Sequence, residues 1–226
     1  MSFIDRAEAG RSLAAELRHM GGGSEDLVVL ALPRGGVPVG FEIATALEAP
    51  LDLIVVRKLG VPHQPELAMG AIGEGGARVI NDRVVSLAQV SPEQIDRVEA
   101  DERAELDNRV RTLRGDRPAT AVRGRTAIVV DDGIATGSTA QAACQVARVQ
   151  GAARVVLAVP VGSPDSIARL REDTGTAIDE VVCLETPPHF SAISQFYRDF
   201  AQTSNEEVAA LLDEAASTAP RGGAHE

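Results

Sequence analysis

The chain has 226 residues, 44% apolar and 24% charged, which excludes a disordered or collagen-like class and gives one domain with added segments. A net charge of -11 excludes broad contact with DNA or an anionic membrane, because both need a cationic face. With no apolar run of about 18 residues and no secretory pattern, and with Cys144 and Cys183 expected as buried free thiols, a cytoplasmic protein without a membrane span is expected.

A helix is expected over residues 5–19. Residues 27–32 form a continuous apolar run, as a strand buried on both faces would. A Pro-Arg-Gly-Gly turn follows, then a helix over 39–47 and a strand over 51–56. Residues 57–76 are rich in Gly and Pro and read as a long functional loop, closed by a short strand at 77–80. Ser91-Pro92-Glu93-Gln94 carries an N-cap, a first-turn proline and a capping box, opening a helix to about residue 113. Its pairs Glu99/Arg103, Glu105/Arg109 and Asp107/Arg111 are spaced i,i+4 and read as a solvated face.

Residues 126–130 form another buried strand, followed by a helix over 138–149. A strand over 154–161, a helix over 164–171, a strand over 178–184 and a helix over 205–215 complete the pattern. Strands alternating with helices predict an α/β, doubly wound, mostly parallel sheet.

The sharpest motif is Val130-Asp131-Asp132-Gly133-Ile134-Ala135-Thr136-Gly137-Ser138-Thr139. Two acids end a buried strand, and a loop of small and hydroxyl residues enters a helix. Such a loop offers backbone N–H groups, hydroxyls and the helix dipole to a phosphate. The acids before it can accept hydrogen bonds from vicinal sugar hydroxyls. Together they describe a sugar phosphate. A second strand-to-helix turn, Leu32-Pro33-Arg34-Gly35-Gly36, lets backbone approach a ligand closely. Arg57-Lys58 lies at the end of the strand over 51–56, and Lys58 is the only lysine among 22 basic residues. His63 and Glu66 are weaker candidates in the loop that follows.

This set resembles the type I phosphoribosyltransferases, over about residues 27–185. The resemblance implies that Asp131 and Asp132 contact the ribose hydroxyls of phosphoribosyl pyrophosphate (PRPP) and share a Mg²⁺ ion. It implies that Ala135, Thr136, Gly137, Ser138 and Thr139 hold the 5′-phosphate. Gly35, Gly36 and Arg34 would hold the pyrophosphate, joined by Arg57 and Lys58, with loop 59–76 closing over the site. Gly133 departs from the larger apolar residue many members carry there, and is expected to alter loop stiffness. Members acting on 6-oxopurines usually carry an acid where this chain has Ala135.

The resemblance also implies a hood over the ribosyl site, built from residues 1–26 and 186–216 around the core of 27–185, with a disordered tail over 217–226. Phe190 and Tyr197, within an aromatic cluster at 187–200, would then stack on a planar acceptor, the alternative being a small hood core or dimer contact. The expected activity is transfer of 5-phosphoribosyl from PRPP to a nitrogenous base, as in nucleotide salvage, by a homodimer. The alternatives are a PRPP-sensing regulator and a related sugar-phosphate hydrolase or phosphorylase. No helix-turn-helix module supports DNA binding. Neither a G-x-G-x-x-G nor a Walker lysine is present.

Overall fold

The computed structural model describes residues 3–20, 26–172 and 174–218. Five strands form a parallel sheet in the order β2 (Leu51–Leu53), β1 (Leu27–Ala31), β6 (Thr126–Val130), β7 (Arg154–Val161) and β8 (Glu180–Glu185). The strands alternate their side chains between two apolar layers. On one face Val28, Leu30, Val129 and Leu157 meet α5 (Ser138–Val149) and α6 (Pro164–Glu172). On the other, Val29, Ile128 and Val156 meet α1 (Arg6–Leu17) and α2 (Gly36–Leu47). The chain is therefore α/β and doubly wound, as its alternating pattern predicts.

The chain moves from β1 to one side, into β2, and later returns to pair β6 on the other side of β1. That reversal opens a crevice beyond the carboxyl ends of β1 and β6, where ligands bind in open parallel sheets.

Residues 57–76 differ from the long loop expected of them. β3 (Val56–Val61) and β4 (Gln64–Gly73) form an antiparallel hairpin turning at Pro62 and His63, and β5 (Arg78–Ile80) joins them as a second, three-stranded sheet. The strand expected over 51–56 accordingly splits between the two sheets. The glycines that suggested a loop are places of close backbone approach. A Cβ on Gly60 would lie 2.6 Å from Pro65 O, and one on Gly70 would lie 2.3 Å from Val79 O.

A short helix, α3 (Asp82–Leu87), follows, capped by Asn81; the sequence reading missed it. Helix α4 (Pro92–Arg114) begins with the expected capping box. Its charged face is not simply solvated. Glu99 pairs with Arg103 at 2.9 Å but also with Arg78 at 2.6 Å, and Glu102 pairs with Arg57 at 2.6 Å. The face thus clasps the hairpin, while Leu106 and Leu113 join its apolar core with Leu59, Met69 and Ile72. At the end of α4, buried Arg114 binds Asp52 Oδ1 at 2.9 Å and also pairs with Glu74. Thr120 N donates to Asp52 Oδ2 at 2.6 Å.

Cys144 is a buried free thiol, and Cys183 is free but only half-buried. Helix α7 (Asn205–Thr218) continues through Ser217 and Thr218, which corrects the expected tail; residues 219–226 of that tail lie outside the described residues. Among the described residues no helix is long and apolar enough to cross a membrane.

Candidate functional site

The crevice beyond β1 and β6 gathers most of the predicted site residues. At the end of β1, Leu32 N donates to Val130 O at 2.8 Å, so the two strand ends stay side by side. The Pro33–Arg34 peptide is cis. Gly35 precedes α2 with no side-chain cap. Both glycines of this turn are required by packing: a Cβ on Gly35 would lie 2.0 Å from Asp132 Oδ2, and one on Gly36 would lie 2.6 Å from Val130 O. The turn after β1 and the acid pair therefore touch.

Asp131 Oδ1 accepts from Asp132 N at 2.9 Å. Burial, reinforced by the charge of Asp132, raises the Asp131 pKa well above the ordinary carboxylate range. Asp132 is buried, and its Oδ2 accepts from Arg6 Nε at 2.8 Å. Each acid thus commits at least one oxygen to the fold, and the two side chains also interact with each other. Among the described residues no three His, Cys, Asp or Glu side chains converge as a metal cage. Two carboxylates alone fit Mg²⁺, which keeps several waters and takes its remaining ligands from substrate phosphate.

The second loop runs from Ala135 to Thr139 and enters α5. Gly137 takes a left-handed φ of 78°, and the helix has no side-chain cap. Its first N–H groups are therefore left without a capping side chain, as an anion site needs. The back of the loop is held firmly: Ser163 Oγ and Ser166 Oγ both donate to Ala135 O, at 2.9 and 2.7 Å. Arg169 Nη2 donates to Thr136 O at 3.2 Å. Thr136 and Ser138 hydroxyls lie 3.3 Å apart, and Lys58 Nζ reaches Ser138 Oγ at 3.4 Å from the hairpin. Thr139 and Lys58 line a cavity of about 550 Å³ together with Pro33, Arg57 and Glu66.

Gly133 is explained by packing, since a Cβ there would lie 2.7 Å from Ile193 Cγ2. The apolar bulk comes from the C-terminal segment instead of the loop. That segment also carries the aromatic cluster. Phe190 stacks on Phe196 with centroids 5.5 Å apart, and Tyr197 packs between Phe3 and Phe200. The stacking role expected of Tyr197 does not match its place. The ring is buried, and its hydroxyl donates to Asp132 O at 2.7 Å. Burial, with the nearby Asp132 charge second, raises its pKa far above the usual phenol range. Tyr197 supports the acids from beneath, while Phe190 remains half-buried.

Arg6 is the functional residue the sequence reading missed most completely. Besides Asp132 it binds Ala201 O at 2.7 Å, and its guanidinium lies 4.0 Å from the Phe200 ring centroid. Its partner lies 126 positions away, and nothing local in the sequence marks it.

The sequence model described as "Phosphoribosyl transferase domain" matches residues 4–201. Curated proteins from two strains of Mycobacterium tuberculosis, each named "Putative phosphoribosyl transferase", are 56% identical over 213 residues, covering 94% of this chain and 47% of each relative. The chain thus spans about half the length of the curated relatives it matches. The crystal structure of TT1426 from Thermus thermophilus superposes with a TM-score of 0.85 at 42% identity, covering 95% of this chain and 99% of that one.

Proposed function

The chain belongs to the phosphoribosyl transferase domain family, and on that premise we propose that it moves 5-phosphoribosyl from PRPP to a nitrogenous base. The observation that carries this reading is the pairing of two uncapped strand-to-helix turns, at Gly35 and at Gly137, on either side of the Asp131–Asp132 pair. One ligand with a phosphate at each end and hydroxyls between them matches that spacing of chemistries.

In this reading Ala135 to Thr139 anchor the 5′-phosphate through backbone N–H groups and hydroxyls. Asp131 and Asp132 accept from the ribose hydroxyls. Gly35, Gly36, Arg34 and Arg57 hold the pyrophosphate, and Lys58 reaches over from the hairpin. A ring nitrogen of the acceptor forms a bond to C1 as the bond from C1 to pyrophosphate oxygen breaks, and pyrophosphate leaves with the electron pair. Positive charge grows on the sugar and negative charge on the leaving group. Preorganised guanidinium and amide donors stabilise the latter. Mg²⁺, held by Asp131 and Asp132 together with substrate oxygens, would supply further charge neutralisation. The C-terminal segment, with Phe190 at its surface, forms the hood on the acceptor side. A homodimer is part of the same reading.

Calorimetric titration with PRPP and Mg²⁺ tests it, using wild type and Asp131→Asn/Asp132→Asn. Binding that the double variant loses supports the reading and leads to a base-by-base screen for pyrophosphate release. Absence of binding at millimolar PRPP overturns it.

A further inference from the structure

Arg109 of α4 donates through Nη2 to Pro33 O at 3.2 Å, so this helix is docked on the turn that carries Arg34. Arg34, Arg57 and Arg109 together line a cavity of about 320 Å³, with Asn108, Thr112 and Glu105 among its other walls. Arg109 also lines the neighbouring cavity that Lys58 and Thr139 share. It therefore stands where the two spaces meet.

The charge balance of this corner is uneven. Arg57 has a carboxylate partner in Glu102 at 2.6 Å. Arg34 reaches the amide oxygen of Asn205 at 3.4 Å, and Arg109 reaches a backbone carbonyl. Among the described residues Glu105 is the one carboxylate lining the smaller cavity, with Glu206 near enough to Arg34 to feel its charge. Three guanidiniums thus converge in a protein whose net charge is -11. Like charges at this range repel, and an anion with several oxygens relieves the repulsion while matching the planar guanidinium forks. Partial burial, then the charges of Arg57 and Arg34, lower the Arg109 pKa. The residue is nevertheless exposed, and its guanidinium has donors beyond the one that Pro33 O accepts.

We infer that Arg109 is a third guanidinium contact to the leaving pyrophosphate, which makes α4 a wall of the substrate site. The inference rests on the transferase reading and adds a residue outside both phosphate turns.

Titration of the whole chain with inorganic pyrophosphate, ribose 5-phosphate and PRPP tests it on wild type, Arg109→Gln and Arg109→Lys. Arg109→Gln is expected to weaken pyrophosphate binding by about tenfold or more, or about 1.4 kcal/mol. Ribose 5-phosphate, which lacks the diphosphate, is expected to bind as in wild type, and Arg109→Lys to recover part of the loss. Unchanged pyrophosphate affinity in Arg109→Gln, beside normal PRPP binding by wild type, overturns the inference alone. Equal loss of both probes also overturns it, since that marks a structural role. Failure of wild type to bind either PRPP or pyrophosphate overturns the transferase reading as well.

Discussion

Arg6 Nε donates to Asp132 Oδ2 at 2.8 Å, and both side chains are almost wholly buried. The same aspartate receives the Tyr197 hydroxyl on its carbonyl oxygen, and its carboxylate fills the space a Gly35 side chain would need. One residue at the end of β6 therefore ties together the start of α1, the C-terminal aromatic segment and the turn after β1. The position of the acid depends on all three.

Arg6→Ala removes one partner of this enclosed pair and leaves the other charge uncompensated. The expected destabilisation is about 3 kcal/mol, read from urea unfolding at neutral pH. PRPP affinity falls in parallel because Asp132 loses its orientation. A variant as stable as wild type would show that the pair contributes little.

Gly35→Ala places a methyl group where the Asp132 carboxylate sits, 2.0 Å from Oδ2. The backbone is αR there, so the conflict is one of space and not of φ. Overpacking of this kind costs about 1–3 kcal/mol. The larger effect is expected in calorimetry, as loss of detectable PRPP binding from a chain that still folds.

Asp52→Ala tests a charge cluster away from the acids. It removes one of the two carboxylates that pair with buried Arg114, Glu74 being the other, and leaves Thr120 N without its acceptor. Unfolding free energy is expected to fall by about 1–3 kcal/mol, because Glu74 still neutralises Arg114 while hydrogen bonds to it and to Thr120 N are lost. PRPP affinity of the folded protein is expected to stay at the wild-type value, in contrast to Arg6→Ala.

Burial raises the Cys183 thiol from its ordinary value near 9 to about 11. Between those values the unfolded chain has released the proton and the folded chain has not. The unfolded state then binds fewer protons, so stability declines as pH rises from 9 to 11. Cys144 and Tyr197 are shifted in the same direction and extend the decline at higher pH. Urea unfolding across this range checks the slope, and Cys183→Ala is expected to make it shallower. Native protein is also expected to react slowly with thiol reagents at pH 8, because little thiolate forms.

The parallel sheet and both strand-to-helix turns of the site are legible in the sequence because each rests on local patterns. Residues 27–31 and 126–130 are unbroken apolar runs, and the Asp131 to Thr139 stretch carries its chemistry in consecutive residues. The hairpin is not legible, because Gly60 and Gly70 read as breakers although backbone contact across the strands is what requires them. Arg6 and Arg109 are illegible for a different reason. Arginine is the common basic residue of this chain, and their partners, Asp132 and Pro33, lie 126 and 76 positions away. Arg109 has a local partner in view, Glu105 one turn earlier, and tertiary docking on the turn after β1 overrides that pairing.

The hydrogen bonds from Phe3 N to Phe196 O and from Arg198 N to Phe3 O have a consequence for synthesis on the ribosome. The sheet can form as its strands emerge, since β1, β6 and β7 pair without the last segment. Arg6 and Asp132, however, acquire their supports at Tyr197 and Ala201 only when those residues leave the exit tunnel. A nascent chain can therefore pair its strands through β7 before its centre is finished, and ligand binding can stabilise it only after residue 201 has emerged.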